Sequence, residues 1–247
     1  MKLSWLWNKF EDLFLKNHGC LACRREIADG TKFSLCENCM KNLEIIDGTI
    51  CEKCGEEVAS GNKLCDTCKS VHYDFDKSRS FAKYGEIASK IVKRFKYSGK
   101  KYYAKHIAEM MATKTENFDN VDFITFVPIG EKRKRERGFN QAEEIAKELS
   151  ALANIPVINL FHKIGSEKHQ AGLSQKERRK NLKGTIVFGA DDQENIKGKT
   201  ILIIDDVFTT GATLSECAGV LRKSKYKPNK VFAYTFAKTM LFSTNNG

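Results

Sequence analysis

Two adjacent carboxylates and a following group of small and hydroxyl side chains form the segment of this sequence best suited to chemistry. The acidic pair is Asp205 and Asp206. The residues of the second group are Thr209, Thr210, Gly211, Ala212 and Thr213. Adjacent carboxylates suit the two neighbouring hydroxyls of a ribose, or a Mg²⁺ ion beside a pyrophosphate. Hydroxyls, free backbone N–H groups and a glycine that admits close approach favour a phosphate. The segment therefore predicts a sugar-phosphate site with catalytic carboxylates and a substrate-binding loop.

The residues on either side of this segment predict a strand and a helix. Four aliphatic residues at positions 201–204 precede the acidic pair and indicate a strand buried on both faces. Apolar residues at helical spacing follow the loop, namely Leu214, Cys217, Ala218 and Leu221. Open α/β sheets bind ligands at the carboxyl ends of their strands, where we place the acidic pair. The same residues also fit an ordinary strand-to-helix turn in which the threonines cap the helix.

A second predicted strand leads into a strongly basic segment. Residues 123–128 read as a buried strand that ends at a proline, and residues 141–152 carry a helical apolar face. We expect the basic residues between them to form a loop at the same sheet edge as Asp205. Arg137 is the candidate pyrophosphate ligand, because a guanidinium bonds two oxygens at once. The alternative is that this basic run is only a solvated surface.

Eight of the nine cysteines lie in four Cys-x-x-Cys pairs between residues 20 and 68. Two such pairs complete a closed tetrahedral shell, which is typical of structural zinc. We predict two Zn²⁺ ions, with the pairs combined in sequence order. The predicted ligands are Cys20, Cys23, Cys36 and Cys39 for the first ion, and Cys51, Cys54, Cys65 and Cys68 for the second. Interleaved pairing and redox dithiols are the alternatives.

The net charge of +11 is unevenly distributed along the 247 residues. Residues 1–75 hold 10 Lys/Arg and 12 Asp/Glu, and residues 76–247 hold 32 and 19. The basic surplus accompanies the predicted phosphate loop, which favours a polyanionic ligand, either a phosphorylated small molecule or nucleic acid.

The length allows one large domain and a small satellite. We expect an N-terminal helix over residues 1–18, a double Cys₄ module over 19–75 and an α/β domain over 76–247. The aromatics of the first helix suit packing on a neighbouring domain or, alternatively, a membrane surface. No apolar run approaches the roughly 20 residues of a membrane span, and no signal peptide is evident, so we expect a cytoplasmic protein.

Two further basic segments suit either a functional or a purely structural role. Residues 93–103 interleave cations with aromatics, which suits either a solvated helix end or a platform for stacking bases. Residues 162–183 are polar and rich in cations, as in a loop that closes over a bound diphosphate.

Short motifs spread over nearly the whole chain resemble one family. Beyond the Cys₄ modules, they are Tyr84-Gly85, Val127-Pro128, Arg137-Gly-Phe-Asn-Gln141, Arg178 with Asn181, and Asp205-Asp-Val-Phe-Thr-Thr-Gly-Ala-Thr213. Together they resemble the ComF family of competence proteins. The last motif is similar to the phosphoribosyl pyrophosphate loop of type I phosphoribosyltransferases. Phe208 is a departure, because it is bulkier than the residue that many such loops carry there.

The resemblance implies an α/β fold, with a type I phosphoribosyltransferase-like parallel sheet flanked by helices and a small N-terminal zinc-ribbon domain. It implies that Asp205 and Asp206 meet the ribose hydroxyls and that residues 209–213 hold the 5′-phosphate. Mg²⁺ would accompany phosphoribosyl pyrophosphate, with Arg137 and Arg178 as further substrate-binding residues. Family members are associated with natural transformation, in which they aid passage of single-stranded DNA beside a helicase. Single-stranded DNA, a helicase and a membrane-associated uptake complex are therefore the implied partners.

Two functional hypotheses follow from these residues. The first is a phosphoribosyltransferase, in which pyrophosphate leaves and a nucleophile attacks the anomeric carbon. The second is a non-catalytic nucleotide- or DNA-binding adaptor for a DNA-uptake helicase. The sequence leaves the acceptor and the reaction itself open.

Overall fold

The computed structural model describes residues 19–115, 118–164, 184–189 and 196–240. The helix predicted over residues 1–18 lies outside these ranges. The strands are β1 (Lys77–Lys83), β2 (Phe123–Phe126), β3 (Phe161–Lys163), β4 (Ile186–Phe188), β5 (Thr200–Phe208) and β6 (Lys230–Lys238). The helices are α1 (Glu37–Lys41), α2 (Asp66–Ser70), α3 (Glu86–Tyr97), α4 (Tyr103–Ala112), α5 (Glu131–Arg137), α6 (Gln141–Ala153) and α7 (Ala212–Lys223). A 3₁₀ turn spans Lys32–Ser34.

Four parallel strands form the central sheet in the order β1-β6-β5-β2. β5 is an inner strand, and residues 200–204 are all buried, as a strand covered on both faces requires. β6 is buried along almost its whole length. Helices α4 and α6 pack on each other, α4 against β6 and α6 against β5 and β2. This is the predicted α/β class with a parallel sheet flanked by helices.

The basic segment after β2 differs from the predicted loop, because residues 131–137 form the two-turn helix α5. Long charged side chains are good helix formers, and Glu131 at the start with Arg137 at the end complement the helix dipole. Gly138 then ends the helix in the left-handed region, at φ 80°. The cations are therefore presented from a helix that follows β2 directly in the chain.

The chain after α6 joins the sheet only briefly. Val157 makes only an isolated parallel bridge to Ile124, and the chain then forms β3, which pairs antiparallel with β4. Helix α7 packs against β5 and β4.

The cysteine-rich region consists of two similar halves. Antiparallel bridges join Gly19 to Glu26 in the first half and Ile50 to Glu57 in the second. Between the halves, residues 44–46 lie along β1, where the Ile46 N–H donates to the Phe81 carbonyl oxygen at 3.0 Å. The segment therefore covers the outer edge of the parallel sheet. No helix within the described ranges is long and apolar enough to cross a membrane.

Candidate sugar-phosphate site

The loop between β5 and α7 has a backbone shaped by Gly211. Its φ of 70° lies in the left-handed region that favours glycine. A Cβ at this position would also lie 2.5 Å from Cζ of Phe208. Thr209 is exposed and Thr210 and Thr213 are half-buried, so their hydroxyls lie at the surface of the loop. Gly211 itself occupies the cap position of α7 without a side-chain cap. Hydroxyls and the first N–H groups of a three-turn helix are the kinds of donor that phosphate binding uses.

The acidic pair lies just inside the carboxyl end of β5, because the strand continues to Phe208. The neighbouring strand β2 is shorter, and the bond from the Val127 N–H to the Ile204 carbonyl oxygen, at 3.0 Å, is the last between them. The β2 side of β5 is therefore open beside Asp205 and Asp206.

The two carboxylates do not share a face of the sheet. β5 pairs with β6 in an unbroken register around them, and successive side chains of a strand point to opposite faces. Asp206 faces α3, where its Oδ2 lies 2.6 Å from Nζ of Lys96. Asp205 lies toward α7, close enough to contribute to the raised pKa of the Cys217 thiol, which burial dominates. The sequence-based expectation that both carboxylates meet one ribose stays a prediction.

The electrostatics of the pair differ between its members. Burial first, and then the charge of Asp206, raise the pKa of Asp205 to about 7. Burial alone lowers the pKa of Lys96, but Asp206 and Asp205 outweigh it and leave that pKa above its ordinary value. Lys96 is therefore a cation at neutral pH, and Asp205 titrates in the physiological range.

Arg137 adds a second cation to this cluster. Its Nη1 donates to Oε1 of Gln141 at 3.0 Å, and its guanidinium lies 6.0 Å from the Tyr97 ring centroid. Its charge also lowers the pKa of Lys96, so the two cations lie near each other. The end of α5, the end of α3 and the flank of β5 therefore form one mixed-charge cluster.

The residues after Arg137 explain how the Arg-Gly-Phe-Asn-Gln segment holds this geometry. The Asn140 side chain accepts from the Ala142 N–H at 3.1 Å, which caps α6, and donates to the Val127 carbonyl oxygen at 2.9 Å. Phe139 is buried, with its ring centroid 5.5 Å from that of Phe95 in α3. The segment thus ties α5, α6 and α3 to the end of β2.

Lys96 is the functional candidate that sequence reasoning missed. The sequence grouped it with Lys93 and Arg94 as a DNA-binding platform. In the structure Arg94 instead donates to the Leu21 carbonyl oxygen at 3.1 Å, and Lys96 pairs with Asp206. The sequence shows only a lysine that follows an apolar residue, Phe95, near the end of a helix. Its partner Asp206 lies on β5, far away in the chain, so the pair is visible only in the structure.

Phe208 has a structural explanation. It is buried, and its ring lies under Gly211 beside Tyr73, whose Cε1 would lie 2.8 Å from a Cβ at Gly211. The bulky side chain therefore packs against the loop of residues 209–213 and supports its backbone. Arg178, the other predicted substrate-binding arginine, lies outside the described residues.

The cysteines form two clusters, each with its four sulfur atoms within 4.8 Å of one another. The clusters are Cys20, Cys23, Cys36 and Cys39, and Cys51, Cys54, Cys65 and Cys68. Sγ of Cys23 and Sγ of Cys36 are 3.7 Å apart, and those of Cys54 and Cys65 are 3.6 Å apart. Sulfurs about 2.3 Å from a tetrahedral zinc are about 3.8 Å from one another, so both clusters fit structural zinc. The thiols combine in sequence order, and the interleaved pairing is wrong.

The chemistry of these thiols also calls for a cation. Burial first, and then the neighbouring sulfurs, raise the pKa of Cys39 and of Cys68 above the ordinary range. Four clustered thiolates are therefore stable only around a positive charge, which a divalent zinc ion supplies.

Comparisons with known proteins identify both parts of the chain. Residues 12–69 match the double zinc ribbon domain family, and residues 98–240 match the phosphoribosyl transferase domain family. The second match spans more than half of the chain. This protein belongs to the phosphoribosyl transferase domain family.

Its relatives bear names from DNA uptake and use. It is 29% identical to Competence protein F of Haemophilus influenzae, over 84% of this chain and 92% of that protein. It is 27% identical to Competence protein ComFC of Bacillus subtilis, over 83% of this chain and 84% of that protein. It is 26% identical to DNA utilization protein YhgH of Escherichia coli O157:H7, over 83% of this chain and 91% of that protein. The resemblance to the ComF family is confirmed.

Proposed function

We propose that this protein binds phosphoribosyl pyrophosphate at the carboxyl edge of its parallel sheet and acts in the uptake or use of single-stranded DNA. The observation that supports this most is the meeting of three elements. Lys96 and Arg137 come from two helices, the acidic pair comes from β5, and the loop of residues 209–213 follows it. The cations and the loop would bind the anionic groups of one ligand, and the acidic pair would bind its hydroxyls.

The loop is suited to the 5′-phosphate. Gly211 permits close approach of the backbone, Thr209 and Thr213 offer hydroxyls, and α7 contributes its positive end. Asp205 and Asp206 remain our candidates for the ribose hydroxyls and for catalysis. Their opposite orientation makes Asp206, on the side of the cations, the better placed for a diphosphate-bearing ribose.

Lys96 and Arg137 are suited to the diphosphate. Nζ of Lys96 lies 2.6 Å from Oδ2 of Asp206. An incoming diphosphate would compete for this ammonium, which would leave Asp206 and bind the diphosphate oxygens. The freed carboxylate oxygens would then suit Mg²⁺, which prefers oxygen ligands and binds diphosphates. Mg²⁺ supplies charge neutralisation of the diphosphate, and the protein residues supply its orientation.

Transfer would break the bond between the anomeric carbon and the diphosphate and form one to an acceptor nucleophile. Positioning and charge stabilisation by Lys96 and Arg137 would lower the barrier to departure of the diphosphate. We leave the acceptor undefined.

A second candidate function is non-catalytic binding of nucleic acid beside this site. Tyr97 is 77% exposed, lies next to Lys96 in the chain and has the Arg137 guanidinium at its ring. An exposed ring among cations suits a stacked base with its phosphates. In this function the protein would be an adaptor for a helicase in a membrane-associated uptake complex. We place either function in the cytoplasm, where eight zinc-binding thiols stay reduced.

Isothermal titration calorimetry with phosphoribosyl pyrophosphate and Mg²⁺ tests the proposal. We expect binding by the wild type, and about 30-fold weaker binding by Lys96→Met because a charge-assisted contact is lost. Lys93→Met, three residues earlier on α3, is the matched control and should bind normally. Absence of wild-type binding would refute the proposal. Pyrophosphate release with added bases would favour the transferase, and binding without release would favour the adaptor.

A further inference from the structure

The second cysteine cluster is docked directly on the first strand of the sheet. Nη1 of Arg79 donates to the carbonyl oxygens of Cys51 at 3.3 Å and Glu52 at 3.1 Å. The Ser78 N–H donates to the Lys53 carbonyl oxygen at 2.7 Å. The Cys-x-x-Cys turn at positions 51–54 is therefore held by β1 through its backbone.

A buried lysine extends this contact toward the phosphate loop. Lys238, at the end of β6, is only 1% exposed, and its Nζ lies 3.3 Å from Oε2 of Glu56, two residues after Cys54. The same Nζ lies 3.6 Å from the centroid of the Phe208 ring. A buried ammonium is costly without an anionic or aromatic partner, so Glu56 and Phe208 are both held against it. The ammonium thus joins the second zinc ribbon to the residue that precedes the loop.

Tyr73 makes the second connection. Its hydroxyl donates to the Thr210 carbonyl oxygen at 3.0 Å, and its ring lies under Gly211 beside Phe208. Its ring also stacks on Phe75, with centroids 4.9 Å apart. Tyr73 follows the last cysteine of the second cluster by five residues, so the end of the ribbon holds the loop backbone.

We propose that the second zinc ribbon is part of the sugar-phosphate site, with Tyr73 and Lys238 as positioning residues that fix the backbone of Thr210 and Gly211. This rests on the proposed binding of phosphoribosyl pyrophosphate. The first ribbon contacts helices α3 and α4 instead of the loop, through Leu21 with Arg94 and Ser34 with His106. We therefore expect ligand binding to be linked to retention of the second zinc, through the loop backbone, more strongly than to retention of the first.

Linkage is reciprocal, so the ligand must protect the second zinc if that ribbon shapes the loop. Zinc release to a chromogenic chelator is followed with and without phosphoribosyl pyrophosphate and Mg²⁺, with Mg²⁺ alone as reference. Freed cysteines are trapped with N-ethylmaleimide and located by peptide mass spectrometry. We expect the ligand to slow labelling of Cys65 and Cys68 and to leave labelling of Cys23 and Cys36 unchanged.

Tyr73→Phe removes only the hydroxyl that holds Thr210. We expect about threefold to tenfold weaker ligand binding, the loss of one hydrogen bond, together with loss of the zinc protection. Tyr226→Phe, a tyrosine just beyond the other end of α7, is the matched control and should behave as the wild type. Both variants should contain two zinc ions by elemental analysis.

The outcomes separate this inference from the proposed function. If the wild type binds the ligand but both cysteine clusters are released at unchanged rates, the inference is overturned and the function stands. The same holds if Tyr73→Phe binds like Tyr226→Phe. If the wild type binds no ligand, the function and the inference fall together.

Discussion

The two cysteine clusters have the same ligands and spacing pattern but differ in their relation to the large domain. In the first, Cys20 and Cys39 are buried and Cys23 is exposed, and polar bonds at Leu21 and Ser34 join the ribbon to helices α3 and α4. In the second, Cys51 and Cys54 are both buried, against two cation-bearing strands. An internal repeat thus has one copy that contacts helices of the domain and one that contacts its sheet.

The difference has an electrostatic reason. A zinc ion with four thiolates carries a net charge of −2, which is costly to bury unless cations lie nearby. β1 supplies Arg79 and β6 supplies Lys238 on the side of the second cluster. We expect this cluster to stabilise the domain more than the first does.

The largest expected effect comes from replacing one ligand in each cluster. Cys54→Ser should lower the melting temperature by about 10 °C more than Cys23→Ser, because loss of the second zinc leaves buried cations unpaired. Each variant should retain about one zinc ion. Differential scanning fluorimetry and elemental analysis measure the two quantities, and equal melting temperatures would contradict the comparison.

A smaller effect is expected from removing the buried cation beside the second cluster. Lys238→Met should lower the free energy of unfolding by about 3 kcal/mol, because Glu56 then stays buried without its partner. Lys90→Met is the matched control on α3, where the lysine pairs with Glu86 at the surface, and should change it by less than about 0.5 kcal/mol. Urea denaturation distinguishes the two. A harmless Lys238→Met would mean that the second cluster is no more integrated than the first.

The pH dependence of ligand affinity gives the next prediction. Burial and Asp206 raise the pKa of Asp205 to about 7, so its ionised fraction rises about tenfold between pH 6 and pH 8. Affinity for phosphoribosyl pyrophosphate with Mg²⁺ should rise by about that factor, and calorimetry at several pH values measures it. The stability of the free protein should change the opposite way, falling as pH rises from about 4 to 7, because the folded state binds this proton more tightly.

Two variants sharpen this result. Asp205→Asn should flatten the pH profile. Cys23→Ser should keep the wild-type profile, because the first cluster lies away from the acidic pair. A first-cluster variant with an altered profile would break the distinction between the ribbons.

The smallest effect concerns the first ribbon alone. Ser34→Ala removes the contact of its hydroxyl with Nε2 of His106, which is 3.1 Å away and half-buried. We expect a loss of less than about 1 kcal/mol in the free energy of unfolding and unchanged ligand affinity. A larger loss would show that the first ribbon also supports the domain.

The sequence predicted the features that depend on local pattern. Cysteine spacing identified the two metal clusters, and the aliphatic run before Asp205 predicted an inner strand. Strand alternation was equally readable, because two adjacent side chains of a strand point to opposite faces. The expectation that Asp205 and Asp206 meet one ribose came from the motif, and it stays a prediction.

What the sequence could not predict depends on contacts between distant segments. Lys96 meets Asp206 across 110 positions, and Tyr73 meets Thr210 across 137. Neither pair can be recognised from the residues next to it in the sequence, and the same is true of Lys238 and Glu56. Residues 131–137 were expected to form a loop because so many of them are charged. The same residues have high helix propensity, and they form helix α5.

The segment at residues 44–46 has a consequence for handling the protein. It occupies the outer edge of β1 and is anchored between the two metal centres. Stripping the metals would release it and bare a row of unsatisfied peptide groups, to which a strand of another molecule can add. Chelation should therefore end in self-association that re-adding zinc afterwards does not reverse.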